Sequence, residues 1–258
     1  MEILIKITAK PKFKKSPILI EGLPGFGQVG RVAVEHLISE LKAKKFAELI
    51  SPSFPPEVFV DNTGMVRRVN NEFYYYSGKK NDLILLIGET QASDVRGQYE
   101  LVEAIVKLSK RYKVKEMITL GGYATGALKE KPQVYGASTS KKFIEKYEKH
   151  GIVFKSKTER GGIVGASGLL LGIGQLYGIE GVCLMGETPG HPLFVDAKSA
   201  EAVLKKLMKI LDMKLDLKKL DKRVKEIEKF RTTIQQLMQK AMEKPEEKPD
   251  LEKVRYIG

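Results

Sequence analysis

Apolar residues along the chain fall into short unbroken runs that alternate with stretches of helical spacing. Residues 3–7 (ILIKI) and 16–22 (SPILIEG) read as strands, the second bounded by Pro17 and Gly22 and apolar enough to be buried. A loop, LPGFGQVG at 23–30, leads into a helix with Val29, Val32, Ala33, Leu37 and Leu41 on one side. Residues 46–76 hold four strand-like pieces separated by Pro52, Pro55, Pro56, Asn62, Gly64, Asn70 and Asn71, which predicts an antiparallel meander inserted in an α/β frame. The alternation then resumes. A strand at 83–87 precedes a helix striped by Leu101, Val102, Ile105, Val106 and Leu108, and a strand at 117–120 ends in Gly121 and Gly122. A polar region follows, with a helix near 139–149 and a short strand at 152–154, then a helix at about 166–177 and a strand at 182–185. Asp196 caps a helix with Ala197, Ala200, Val203, Leu204, Leu207, Ile210 and Leu211 on one side. Continuous apolar strands between helices predict an α/β fold with a mostly parallel sheet covered on both faces, forming one domain over residues 1–212.

The remainder differs in kind. Leu217, Leu220, Val224, Ile227, Ile234, Met238 and Ala241 recur at spacings of three and four, with one break where Arg231 takes the expected slot beside Phe230, so residues 213–243 read as an amphipathic, coiled-coil-like helix suited to packing or oligomer contact. Pro245 and Pro249 end it, and residues 244–258 (KPEEKPDLEKVRYIG) read as a charged, flexible tether. Its tip, Val254, Arg255, Tyr256, Ile257 and Gly258, sets an aromatic and an aliphatic residue on a solvated leash. That arrangement suits a docking peptide, the alternative being that it folds back on its own body.

Residues 161–179 form a 19-residue run without a charge, long enough to cross a bilayer. Its seven glycines, with Ser167, Gln175 and Tyr177, dilute it, and the better reading is a glycine turn feeding a helix buried on nearly all sides, with no membrane contact. The formal charge of +13 invites a nucleic-acid reading, but the lysines are interspersed with glutamates and lack interleaved aromatics to stack bases, so a solvated surface is preferred. Cys183 is the single cysteine, so no disulfide framework is expected. The start lacks the pattern of a signal peptide, and a reducing cytoplasm is the expected location. The absence of Trp and the 30% of charged residues lean towards a heat-adapted protein.

The string Gly25-Phe26-Gly27-Gln28-Val29-Gly30 matches G-x-G-x-x-G between a strand and a helix, as a dinucleotide-binding turn does. Pro24 precedes it, and the acidic residue expected about 20 positions on would have to be Glu48, at the wrong end of its strand. Close helix–strand packing and phosphate binding both account for the glycines. Glu21, Glu89 and Glu187 stand at strand ends, where ligands of open α/β sheets bind, and either hold a ligand or cap loops. His36, His150 and His191 share no ligand spacing, Cys183 sits in an apolar strand, and no nucleophile–base pair accompanies them. No catalytic residue, metal or cofactor is expected.

Taken together, ILIEGLPGFGQVGRVAVEHLI at 18–38, LILLIGETQ at 83–91, LGGYATG at 120–126, GLLLG at 168–172 and CLMGET at 183–188 resemble the proteasome assembly chaperone 2 family in its archaeal branch, once also called ATP-grasp-like or carboxylate-amine-ligase-like. The resemblance implies a three-layer α/β/α sandwich, a homo-oligomer, and binding to the α-subunits of the proteasome core particle without nucleotide hydrolysis. It also implies docking through a C-terminal hydrophobic-Tyr-X tail whose terminal carboxylate meets a lysine. Here Tyr256 is third from the end, so Ile257 and Gly258 depart from the strict pattern. The rival reading is a nucleotide- or nucleoside-binding, ligase-like enzyme using residues 25–30 and the strand-end carboxylates.

Overall fold

Strands that are apolar on both faces need cover on both, and the chain supplies it with helices on each side. A computed structural model describes residues 2–154, 161–190, 195–218, 220 and 222. Ten strands occur among them: β1 (Leu4–Ile7), β2 (Ile18–Gly22), β3 (Lys44–Ile50), β4 (Val58–Val60), β5 (Val66–Arg68), β6 (Asn71–Ser77), β7 (Asp82–Gly88), β8 (Glu116–Ala124), β9 (Val134–Ser138) and β10 (Gly181–Thr188). The helices are α1 (Val29–Leu41), α2 (Val95–Arg111), α3 (Lys141–Glu148), α4 (Ala166–Leu176) and α5 (Ala197–Leu211). Eight strands make one sheet in the order β1-β3-β6-β7-β2-β8-β10-β9. Its centre, β7-β2-β8-β10, is parallel, and antiparallel strands extend it on both sides.

Side-chain alternation divides the core in two. Ile18, Ile20, Leu83, Leu85, Leu120 and Leu184 meet α1 and α5 on one face, with Phe143 and Tyr147 of α3 in the same cluster. Leu19, Ile84, Leu86, Met117 and Cys183 meet α2 and α4 on the other. The result is the expected α/β/α sandwich. Asp94 and Asp196 start α2 and α5 by accepting hydrogen bonds from the amides of Gly97 (2.8 Å) and Ser199 (3.0 Å).

Three details depart from the sequence reading. In the 46–76 meander, β3 and β6 join the main sheet, while β4 and β5 stand apart as a two-stranded hairpin. Strand β9 was not foreseen, because Gly136 and Ser138 interrupt its apolar run; it pairs antiparallel with β10, and the strand expected at 152–154 is reduced to a single bridge between Tyr135 and Val153. The body also continues past residue 212: Leu220 is buried at 2% exposure, Met213, Leu215 and Leu217 pack on the same core, and the Asp216 carbonyl meets His36 Nε2 at 2.9 Å. Leu217 and Leu220 are therefore engaged within their own chain. Val224, Ile227, Ile234 and Met238 lie outside the described residues.

Helix α1 approaches the sheet as closely as backbone allows. A Cβ at Gly30 would run into the Leu120 carbonyl, and one at Gly22 into the Gly30 carbonyl. Both obstacles are main chain in central elements and cannot swing aside. Gly30→Ala is expected to lower the unfolding free energy by about 1–3 kcal/mol, the usual cost of overpacking, as read by urea denaturation; a change within experimental scatter would contradict this packing.

Candidate functional site

The carboxyl ends of β2, β7, β8 and β10 open towards one rim of the sheet, and the glycine loop lies across them. Gly25 is extended, Gly27 (φ 62) and Gln28 (φ 53) are left-handed, and residues 26–28 make one 3-10 turn before α1. The loop is seated by its own chain. A Cβ at Gly122 would strike the Phe26 carbonyl, and one at Gly27 would sit 2.7 Å from Thr188 Oγ1 and 3.1 Å from Asp196 Cβ. The Asp196 amide donates to the Gly27 carbonyl at 2.8 Å, so the start of α5 closes over the turn. Gly27 and Gly30 thus serve close packing, while Gly25 faces open space. Glu48 is in mid-β3, paired with Lys45 at 2.7 Å, which holds its carboxyl below the usual range.

The strand-end carboxylates are each engaged locally. Glu89 receives both guanidinium nitrogens of Arg67, one at 2.8 Å, and Arg67 also covers the Phe59 ring at 4.5 Å, so this pair fastens the β4–β5 hairpin to the end of β7. Glu187 accepts from the Gln133 amide at 3.3 Å, and its own carbonyl takes the Ser199 hydroxyl, tying β10 to the loop before β9 and to α5. No group of three His, Cys, Asp or Glu side chains suited to a metal occurs among the described residues. His36 caps the chain after α5, His150 follows α3, and His191 lies outside the described residues. Val254, Arg255, Tyr256, Ile257 and Gly258 also lie outside them.

Gln91 and Tyr123 stand at strand ends in the sequence, in the strings 88–91 and 121–123, and the structure gives each its partners. Gln91 gathers three elements: its Nε2 donates to the Pro24 carbonyl at 2.6 Å, and its Oε1 accepts from the Ala166 amide and from Gln98 Nε2, each at 2.8 Å. It closes the string Gly88-Glu89-Thr90-Gln91 at the end of β7. Tyr123 and Tyr135, rings 4.7 Å apart, line a cavity of about 280 Å³ with Ile144, Phe154, Ile163 and Met185 at the β9 edge. Its walls come from six separated stretches of the chain, which spacing does not reveal.

The model of the PAC2 family matches residues 19–235 of the chain. An uncharacterised protein of Methanocaldococcus jannaschii is 43% identical over 245 residues, 95% of this chain and 93% of that protein. Among solved structures, Pyrococcus furiosus PbaB, described as an archaeal proteasome activator, is 41% identical with a TM-score of 0.86 over 91% of this chain and 99% of its own. Pyrococcus furiosus PbaA, described as an archaeal homologue of a proteasome-assembly chaperone, is 26% identical with a TM-score of 0.76 over 94% and 95%.

Beneath the rim lies a buried polar row. Glu21, Thr119 and Cys183 are in register on β2, β8 and β10. Glu21 accepts from the Leu23 amide at 2.8 Å and lies 3.0 Å from Ser167 Oγ, while Thr119 donates to the Ser167 carbonyl at 3.0 Å. Burial pushes the Cys183 thiol up to about 12, which leaves it unreactive. Burial likewise pushes the Glu21 carboxyl up from 4.5 to about 7, against its hydrogen bonds with Leu23 and Ser167. Between those values the folded chain holds a proton that the unfolded chain has released, so stability falls as pH rises from 4.5 to 7 and levels above. The loss is about 3 kcal/mol at ~1.4 kcal/mol per unit. Glu21→Gln, neutral at every pH, is expected to be more stable than the parent at pH 8, with the gap shrinking at pH 5. Urea unfolding at both pH values checks this, and an equal gap at both would contradict it.

Proposed function

The chain belongs to the PAC2 family, and on that premise we propose that it is a non-enzymatic proteasome activator or assembly chaperone that forms a homo-oligomer and docks its C-terminal tails on the α-ring of the core particle. The observation that carries this reading is the 41% identity to PbaB across nearly the whole of both chains. The geometry of the rim favours it over a nucleotide-dependent enzyme. The glycine turn is packed against Thr188 and Asp196, and Glu89 and Glu187 are engaged in holding the fold. No helix among the described residues is long and apolar enough to cross a membrane, which fits action on a soluble assembly.

In this reading the body runs past residue 212 to the packed Leu217 and Leu220, the rest of 213–243 forms the helical extension and residues 244–258 the tether, with the cytoplasm as the place of action. Residues 254–257 keep apolar residues and a tyrosine, groups that a pocket between subunits would take. One such tail binds weakly, and an oligomer that presents several gains by effective concentration. Much of the +13 charge then acts as surface solvation, with steering towards acidic partner faces.

Deleting residues 256–258 is expected to abolish binding to the core particle, read by co-sedimentation, while the oligomer's mass stays unchanged; undiminished binding would overturn the tail's role. Titration calorimetry with ATP, ADP and purine nucleosides is expected to give no saturable heat, whereas a saturable isotherm would favour the enzyme reading.

A further inference from the structure

Helix α4 is apolar apart from Ser167 and the exposed Gln175, whose Nε2 donates to the Thr139 carbonyl at 2.9 Å, and one copy of the chain covers only part of its apolar surface. Ala166, Leu170, Leu171 and Gly174 are buried against the sheet, as expected for a core helix. On the far side Leu176 is 83% exposed and Gly172 is exposed, and Leu169 and Ile173 flank them, half-buried against the core of their own chain. The expectation of a helix buried on nearly all sides is thus not met within a single chain. The bare surface continues onto α2, where Val95 is 77% and Tyr99 53% exposed. The two helices run side by side in one direction. Gln91 meets Ala166 and Gln98 at one end, and at the other Tyr177 donates to Glu103 at 2.7 Å beneath Lys110. Val95, Tyr99 and Glu103, four residues apart, therefore lie on the side of α2 that borders α4.

We infer that this α2/α4 face is where a second copy of the chain docks, α4 packing antiparallel on its counterpart about a two-fold axis between Gly172 and Ile173. The site rests on the homo-oligomer reading above and gives it an address. The outward residues read alike in both directions, Leu169-x-x-Gly172-Ile173-x-x-Leu176. An antiparallel pair centred there sets each Leu169 against Leu176 of the other copy and each Ile173 against Gly172, a knob against a hole, as a self-complementary interface requires. Gly172 has no task within its own chain: a Cβ there would meet nothing within 4 Å. Charge selects the same partner. Every chain carries a net +13, so contacts through the general surface oppose like charges, whereas residues 161–179 carry none and meet an equally neutral face. Size is adequate too, because Leu176, Val95 and Tyr99, each more than half bare, together with the half-buried Leu169 and Ile173 give several hundred Å² of apolar surface, a large share of the ~800 Å² per partner in a standard interface.

The test uses the full chain and its variants Leu176→Asp and Gly172→Leu, both at positions exposed in one copy, with thermal melts to verify folding. Native mass spectrometry across a dilution series is expected to show an oligomer for the parent and, for Leu176→Asp, a dissociation constant raised by about 100-fold or more, since burying the new carboxylates without partners is costly. Gly172→Leu, which fills the hole, is expected to dissociate as well. Leu169→Cys/Leu176→Cys is expected to give a covalent dimer on mild oxidation, Cys183 being buried. Variants that keep the parent's mass, or an oligomer that yields no cross-link, overturn this face while the homo-oligomer reading stands. A parent that is monomeric at all concentrations overturns both. Variants with the parent's mass that lose core-particle binding assign the face to that partner instead and overturn the proposal.

Discussion

The approach of Gly30 to the Leu120 carbonyl sets the geometry of the whole rim. Two main chains touch there with no side chain between them, so α1 sits directly on β2 and β8. The loop before α1 must then lie flat across the strand ends, with Gly22 beneath Gly30 and Gly122 beneath the Phe26 carbonyl. Flat seating brings Gly27 under Asp196, and that contact fixes where α5 begins. A glycine pattern known for cradling phosphate is here used to bring helices and sheet together, and its space is taken by the chain itself.

The opposite face is organised by polar contacts. Glu21 reaches Ser167 under the first turn of α4, Thr119 holds the Ser167 carbonyl, and Gln91 takes the Ala166 amide while also gripping the glycine loop through Pro24. Helix α4 is thereby anchored at its start to both the sheet and the loop. A helix held so firmly on one side, with Leu176 bare on the other, presents a rigid apolar surface to solvent. Rigid elements make better interfaces than loops, because little conformational entropy is lost on docking. In the proposed function the body would assemble copies and the tail would meet a partner.

Much of this was legible in the sequence where one rule dominates locally. Leu83 to Ile87 and Val182 to Met185 are unbroken apolar runs and became central parallel strands, and Asp196 stands where a cap belongs and caps. Strand β9 was missed because its pairing with β10 is a tertiary choice that Gly136 and Ser138 conceal. The carboxylates were located correctly at strand ends, but their engagement was not visible, since Arg67 is 22 residues from Glu89 and Ser167 is 146 from Glu21. The heptad-like spacing that begins at Leu217 suggested a contact surface, yet its first residues are core of the same chain. Spacing reports that a face is apolar and leaves open which surface covers it.

The central claim is that an oligomer of this chain engages the proteasome core particle. Native mass spectrometry of the full chain, alone and with core-particle α-subunits, tests it most directly. The account predicts a homo-oligomer alone and, on mixing, a new species whose mass is that oligomer plus α-subunits. A single monomeric species in both samples would contradict it.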